Sequence, residues 1–220
     1  MSWENCCVKQ ACCLNWRMPV LTEESAVYAA NGRQKPESVM LPCASWEAFE
    51  QLDRFFEGSP VRLRYADGVI EFMSISSLHE RIKQRLSHLI SHFCVDNDIE
   101  YTSEGSATRR LVARRNAEPD DSFYFGAHAS DGSEVPDVAL EVALTSGGLD
   151  KLKLYEPLGI PELWIYENGT LRVVQLQNGS YTEAAKSQFL PTLDMRLLGE
   201  LAARDISTSA MLKEFRSTLK

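Results

Sequence analysis

A chain of 220 residues, 44% hydrophobic and 25% charged, is long enough for one substantial core and has the composition of an ordinary globular protein. Its formal charge of −8 argues against a surface that grips nucleic acid tightly and non-specifically without help, because phosphate contacts need a basic face; metal ions and local basic patches can supply that help. No apolar stretch approaches the roughly 20 residues that cross a bilayer, and no basic region followed by an apolar block opens the chain, so the reading is a cytoplasmic protein with no membrane partner.

Residues 1–40 show no clear periodicity and read as an extension. They carry Cys6, Cys7, Cys12 and Cys13. Adjacent cysteines cannot easily aim both sulfurs at one zinc, and zinc sites space their ligands differently, so free thiols in a reducing compartment are the favoured account. Ser45 can cap a helix over Trp46–Phe56, where Trp46, Phe49, Leu52 and Phe56 recur at helical spacing. The runs 61–65 and 69–73 flank Asp67-Gly68, the signature of a tight hairpin. Ser76 or Ser77 can cap a helix over 78–96 with Ile82, Leu86, Leu89, Ile90 and Phe93 as its buried stripe. Arg81, Lys83 and Arg85 on this helix form one candidate basic patch. Arg109, Arg110, Arg114 and Arg115, in a polar stretch over 104–117, form another.

A strand is expected near Ile99–Thr102, a strand-like run over Glu118–Phe125, and a loop over 126–134. The run Val135–Leu144 is apolar except for its acids, as in a central strand covered on both faces. After Gly147-Gly148 comes a short helix over 149–158. A meander follows through 162–166, 171–176 and 180–183, with turns at Asn168-Gly169 and Asn178-Gly179; a helical stretch over about 194–218 closes the chain. The whole reads as one α/β domain, a mixed β-sheet flanked by helices with a C-terminal β-meander.

Two acidic strand-like runs followed by a lysine carry the chemistry. Asp137 and Glu141 point to one face of a strand but lie about 13 Å apart along it, too far to chelate one ion with bonds of about 2.1 Å unless the strand is bulged. Asp120, from the neighbouring run, is a better partner for Glu141, because adjacent strands lie about 4.8 Å apart. Glu80, in the first turn of the 78–96 helix, is a further candidate ligand, although the helix dipole alone favours an acid there. Lys151 supplies an ammonium close after Glu141. Carboxylates for a hard cation and a lysine to offset phosphate charge suit a Mg²⁺- or Mn²⁺-dependent phosphodiesterase. His79 could act as a base or a supporting group. No Gly-x-Ser-x-Gly elbow and no phosphate-cradling glycine loop is present.

Pro136-Asp137-x3-Glu141-Val142, Lys151-Leu-x-Leu-Tyr155 and Gly159-Ile-Pro-Glu162-Leu-Trp164 together resemble the Uma2 family. So do Asp67-Gly68-x-Ile-Glu-Phe-Met73-Ser74, His79-Glu80 and Glu118-Pro119-Asp120. These are restriction-endonuclease-like proteins of the PD-(D/E)XK nuclease superfamily. The resemblance covers about 40–205 and implies a nuclease domain over 41–205, between the extension 1–40 and a helical tail over 206–220. It implies an endonuclease acting on nucleic acid, with DNA the expected substrate. Asp120 or Asp137 would be the first acid, Glu141 the second, Glu80 the helix acid and Lys151 the lysine, all around Mg²⁺ or Mn²⁺. The superfamily's nominal Glu-x-Lys is altered, since Ala143 stands two residues after Glu141; the lysine would have moved to the following helix. Thr145-Ser146-Gly147-Gly148 replaces the Ser-Pro common in this loop. Nucleases of this type often act as homodimers, though no stretch here marks an interface. The alternative is a nuclease fold kept as a binding module with little catalysis.

Overall fold

Each of the three X-Gly pairs read as a tight turn is one. Asp67-Gly68, Asn168-Gly169 and Asn178-Gly179 all hold both residues at positive φ, from 49° to 85°. That is the geometry whose twist matches a two-residue hairpin, and glycine adopts it without a Cβ clash. The computed structural model describes residues 38–42, 44–59, 61–74, 76–106, 109–111, 115–132, 134–144 and 150–219, with the backbone alone for 109–111 and 115–117. The Cys6/Cys7/Cys12/Cys13 group, Arg114 and the Thr145–Gly148 loop lie outside these residues.

The strands form two sheets. The five-stranded sheet runs β1 (Ser38–Leu41), β3 (Val69–Ser74), β2 (Val61–Ala66), β6 (Arg115–Ala117), β5 (Arg109–Leu111), all antiparallel. The six-stranded sheet runs β11 (Ser180–Ala184), β10 (Thr170–Gln177), β9 (Glu162–Glu167), β8 (Val138–Ala143), β7 (Asp121–Phe125), β4 (Tyr101–Ser103). Only β8 and β9 pair in parallel among the described strands. The crossover a parallel pair requires passes through α3 (Lys151–Tyr155). The expected mixed sheet, flanking helices and closing meander are all present; the first hairpin, however, does not join that sheet. It builds its own, because α1 (Trp46–Phe56) covers it with a separate core of Phe49, Leu63, Tyr65 and Ile70. The stretch 104–117, read as polar and arginine-rich, contains the short hairpin β5–β6; strands of three residues are too brief to show a period.

The caps fall where the side chains allow them. Ser45 accepts from the Ala48 amide at 3.1 Å to start α1, and Ser76 from the His79 amide at 3.1 Å to start α2 (Ser77–Asp96). The expected α2 stripe is buried, and it packs with α4 (Met195–Ala203) and α5 (Thr208–Thr218) over one face of the six-stranded sheet. Gly199 lets α4 lie directly on the β9–β10 turn: a Cβ there would fall 2.7 Å from the Gly169 carbonyl oxygen. The opposite face of the sheet is closed by α3 through Leu154 and Tyr155, against Ala139, Leu163 and Ile165, with Ala66 of β2 joining them. Strand alternation therefore sends Val138, Leu140 and Val142 into the main core and Ala139 and Glu141 toward α3 and β2.

Candidate functional site

Glu141 is wholly buried. The β7–β8 register pairs Asp121 with Leu140 and Ser122 with Ala139; one further step sets Asp120 opposite Glu141. The ladder extends that far, since the Asp120 amide donates to the Leu140 carbonyl at 2.9 Å. The Val142 amide in turn donates to Asp120 Oδ2 at 2.7 Å. Asp120 and Glu141 thus stand opposite one another on neighbouring antiparallel segments.

Three other elements close on this pair. Asp150 caps α3 through the Leu152 and Lys153 amides. That starts the helix so that Lys151 and Tyr155, four residues apart and on one face, both reach back. Lys151 Nζ donates to Glu141 Oε2 at 2.8 Å, and the Tyr155 hydroxyl donates to Oε1. On β2, Arg62 and Arg64 share a face by alternation. Arg62 Nη1 donates to Asp120 Oδ1 at 3.2 Å, and Arg64 Nη2 lies 2.7 Å from both oxygens of Glu141. From the first turn of α2, His79 Nε2 stands 3.2 Å from Asp120 Oδ2.

The floor is dry and the rim wet: the side chains of Glu141 and Arg64 are 0% and 3% exposed, those of Arg62 and Lys151 17% and 21%. Beside the rim a cavity of about 390 Å³ is lined in part by Arg54, Val61, Arg62 and Glu118. Burial alone would raise the Asp120 carboxyl. The hydrogen bond and charge of His79, then Arg64 and the Val142 amide, more than reverse that and hold it at about 2. Glu141 is likewise lowered, with burial overcome by Arg64 and then Lys151. Burial and the Glu141 charge push the Tyr155 hydroxyl well up, so it stays a donor.

The other candidates are placed elsewhere. The β8–β9 register runs unbroken from Val138 to Ala143, so no bulge brings Asp137 toward Glu141. Asp137 instead accepts from the Phe125 amide at 2.7 Å and pairs with His128 Nδ1 at 2.7 Å. Glu80 is 40% exposed and bound to Lys83 and Gln84. α2 sends His79 to the pair in its place. The patch of Arg81, Lys83 and Arg85 does not form one face, because residues two apart on a helix point about 200° apart. Arg85 is buried and donates to the carbonyls of Ala202, Arg204 and Ile206 at the end of α4. Arg109, Arg110 and Arg115 lie on β5 and β6, and their side chains are outside the described residues.

Sequence reasoning missed Arg62, Arg64 and the Tyr155 hydroxyl. Their one local signal is alternation: Arg62 and Arg64 interleave with Val61, Leu63 and Tyr65, a pattern that reads equally as the solvated face of a hairpin. Only the apposition of the two sheets buries that face. Among the described residues no three His, Cys, Asp or Glu side chains are gathered as a ready metal cluster. The donor types at the pair, carboxylate oxygens beside an ammonium, nonetheless suit a hard divalent cation.

No curated protein matches the chain. One similar solved structure, a cryo-EM structure of a DrdV–DNA complex, is 14% identical with a TM-score of 0.28, covering 63% of this chain and 13% of that one. A family model described as "Uma2: Putative restriction endonuclease" matches residues 46–207, most of the described fold and all of the side chains around Asp120 and Glu141. The chain belongs to the Uma2 family.

Proposed function

We propose that this protein is a divalent-metal-dependent endonuclease that hydrolyses phosphodiester bonds in nucleic acid, with DNA as substrate, in the cytoplasm. The observation that carries the reading is the opposition of Asp120 and Glu141 on neighbouring strands, with Lys151 Nζ 2.8 Å from Glu141. Membership of a family described as "Putative restriction endonuclease" supports the same class. Asp120 and Glu141 would hold Mg²⁺ or Mn²⁺, which supplies Lewis-acid polarisation of a phosphoryl oxygen and a lowered pKa for bound water. Lys151, part-exposed at the rim, offsets negative charge developing on the phosphate. Arg62, also at the rim, offers a guanidinium to a neighbouring phosphate while fixing Asp120. His79 orients Asp120. Asp137 and Glu80 fall outside the proposed ligand set.

Nicking of supercoiled plasmid in Mg²⁺ or Mn²⁺ tests this reading. We expect cutting that stops with chelator, is lost in Glu141→Ala and falls about 10²-fold or more in Lys151→Ala. A clean preparation that cuts equally well with Glu141→Ala would exclude the mechanism. One observation favours a second reading, a nuclease fold kept for binding: both carboxylates are already neutralised by Arg62, Arg64 and Lys151. That reading predicts capture of nucleic acid unaffected by chelator and no cutting.

A further inference from the structure

We propose that Arg64 is a resident counter-cation at the Asp120–Glu141 pair, which occupies Glu141 when no divalent ion is bound, must leave it for one to bind, and so sets the affinity of the site for the ion. The inference rests on the metal-binding part of the reading above and not on catalysis.

Three observations support it. First, the geometry is that of a chelated ion. A guanidinium usually meets a carboxylate as a fork, two nitrogens against two oxygens. Here a single nitrogen, Nη2, lies 2.7 Å from both Oε1 and Oε2, the position a cation held by both oxygens would take. Second, this placement leaves one donor of the guanidinium unused, although Nη2 also donates to the Glu118 carbonyl at 3.5 Å. Arg64 is 2% exposed, and its Nε is buried with no hydrogen-bond partner. An arginine fitted permanently to its surroundings would be expected to use that donor. Third, the charges disfavour joint occupancy. Asp120 and Glu141 bring two negative charges; Arg62, Arg64 and Lys151 bring three positive ones. A divalent ion added beside Arg64 would leave three uncompensated positive charges around the pair, and one that replaces Arg64 leaves two. Arg64 lies opposite Glu71 in the β2–β3 register and is flanked by the core residues Leu63 and Tyr65, so the exchange is assigned to its side chain and not to the strand.

The test is Mn²⁺ binding by calorimetry, on the full chain, for the wild type and for Arg64→Met, with melting temperature measured with and without Mn²⁺. Arg64→Met should bind Mn²⁺ at least tenfold more tightly than the wild type and should gain more melting temperature from it. Arg64→Lys, which keeps a positive charge, should bind as weakly as the wild type. Equal or weaker binding by a folded Arg64→Met overturns the proposal. Should Arg64→Met not fold even with Mn²⁺ present, the wild type decides the matter. The arginine side-chain ¹H–¹⁵N resonance absent from the spectrum of Arg64→Lys should shift during a Mg²⁺ titration, and a resonance that stays in place overturns the proposal. The two readings fail separately. An Arg64→Met protein that gains affinity yet cuts nothing removes the nuclease and leaves the exchange standing. A wild type that cuts, beside an Arg64→Met of unchanged affinity, does the reverse.

Discussion

Two buried carboxylates, one just before β8 and one within it, are built for different work. Asp137, before the strand, takes a backbone amide from Phe125 and a histidine that is itself exposed. Its oxygens are used to tie the start of β8 to the turn after β7. Glu141, within the strand, takes an arginine, a lysine and a tyrosine hydroxyl, with Asp120 and its own cations alongside. Asp121 and Glu162 follow the Asp137 pattern. Asp121 accepts from Ser87, Ser103 and the amides of Gly105 and Ser122; Glu162 accepts from Trp164, Gln175 and the Gln188 amide. A buried acid served mainly by neutral donors is a structural pin. One encircled by several cations is a charge assembly, whose balance a ligand can change.

The largest effect that would sharpen this contrast is on stability. Glu141→Gln strands Arg64 and Lys151 beside a neutral amide. It should cost about 3–5 kcal/mol in urea unfolding, the toll of breaking a buried ion pair from one side. Asp137→Asn keeps an oxygen for the Phe125 amide and should cost about 1 kcal/mol. Equal losses would erase the distinction between the two carboxylates.

Next in size is a pH effect at Asp120. Its carboxyl is held down from 3.8 to about 2. A depressed pKa contributes stability that is fully present above the unfolded value and is lost as pH falls through the folded one. The window is therefore from about pH 4 down to about pH 2, and the contribution is about 2 kcal/mol. Asp120→Asn should unfold more readily at pH 7 and show a flatter stability curve across that window. A wild-type slope left unchanged by the substitution would mean that the cations do not hold Asp120.

The smallest effect belongs to His128, raised by its hydrogen bond to Asp137. A raised pKa contributes below the unfolded value, about 6.5, and that contribution fades as pH rises through the folded one. The His128 midpoint, followed by NMR, should drop toward 6.5 in Asp137→Asn. If it does not move, the pairing is absent in solution.

Much of the site is legible because its pieces are local. Asp120 and Glu141 sit on neighbouring strand-like runs, and the roughly 13 Å along a strand already separates Asp137 from Glu141. Lys151 follows on a helix that Asp150 caps. Glu80 and His79 illustrate the opposite case. Both occupy the first turn of α2, and nothing in the run from Ser76 onward tells which faces β7; the angle at which the helix lies on the sheet makes it His79.

The sequence by itself determined most of the elements, the three hairpin turns and the placing of two acids on neighbouring strand-like runs with a lysine after them, because each depends on spacing within a few residues or on one strand lying beside the next. Tertiary structure alone decided that β2 turns its arginine face inward. Val61–Ala66 has the same alternation whether its polar side meets water or another sheet, and the partners of Arg62 and Arg64 lie 58 and 77 residues further along the chain. Whether those charges are solvated or locked onto Asp120 and Glu141 depends on how the two sheets pack, and no local pattern encodes that packing.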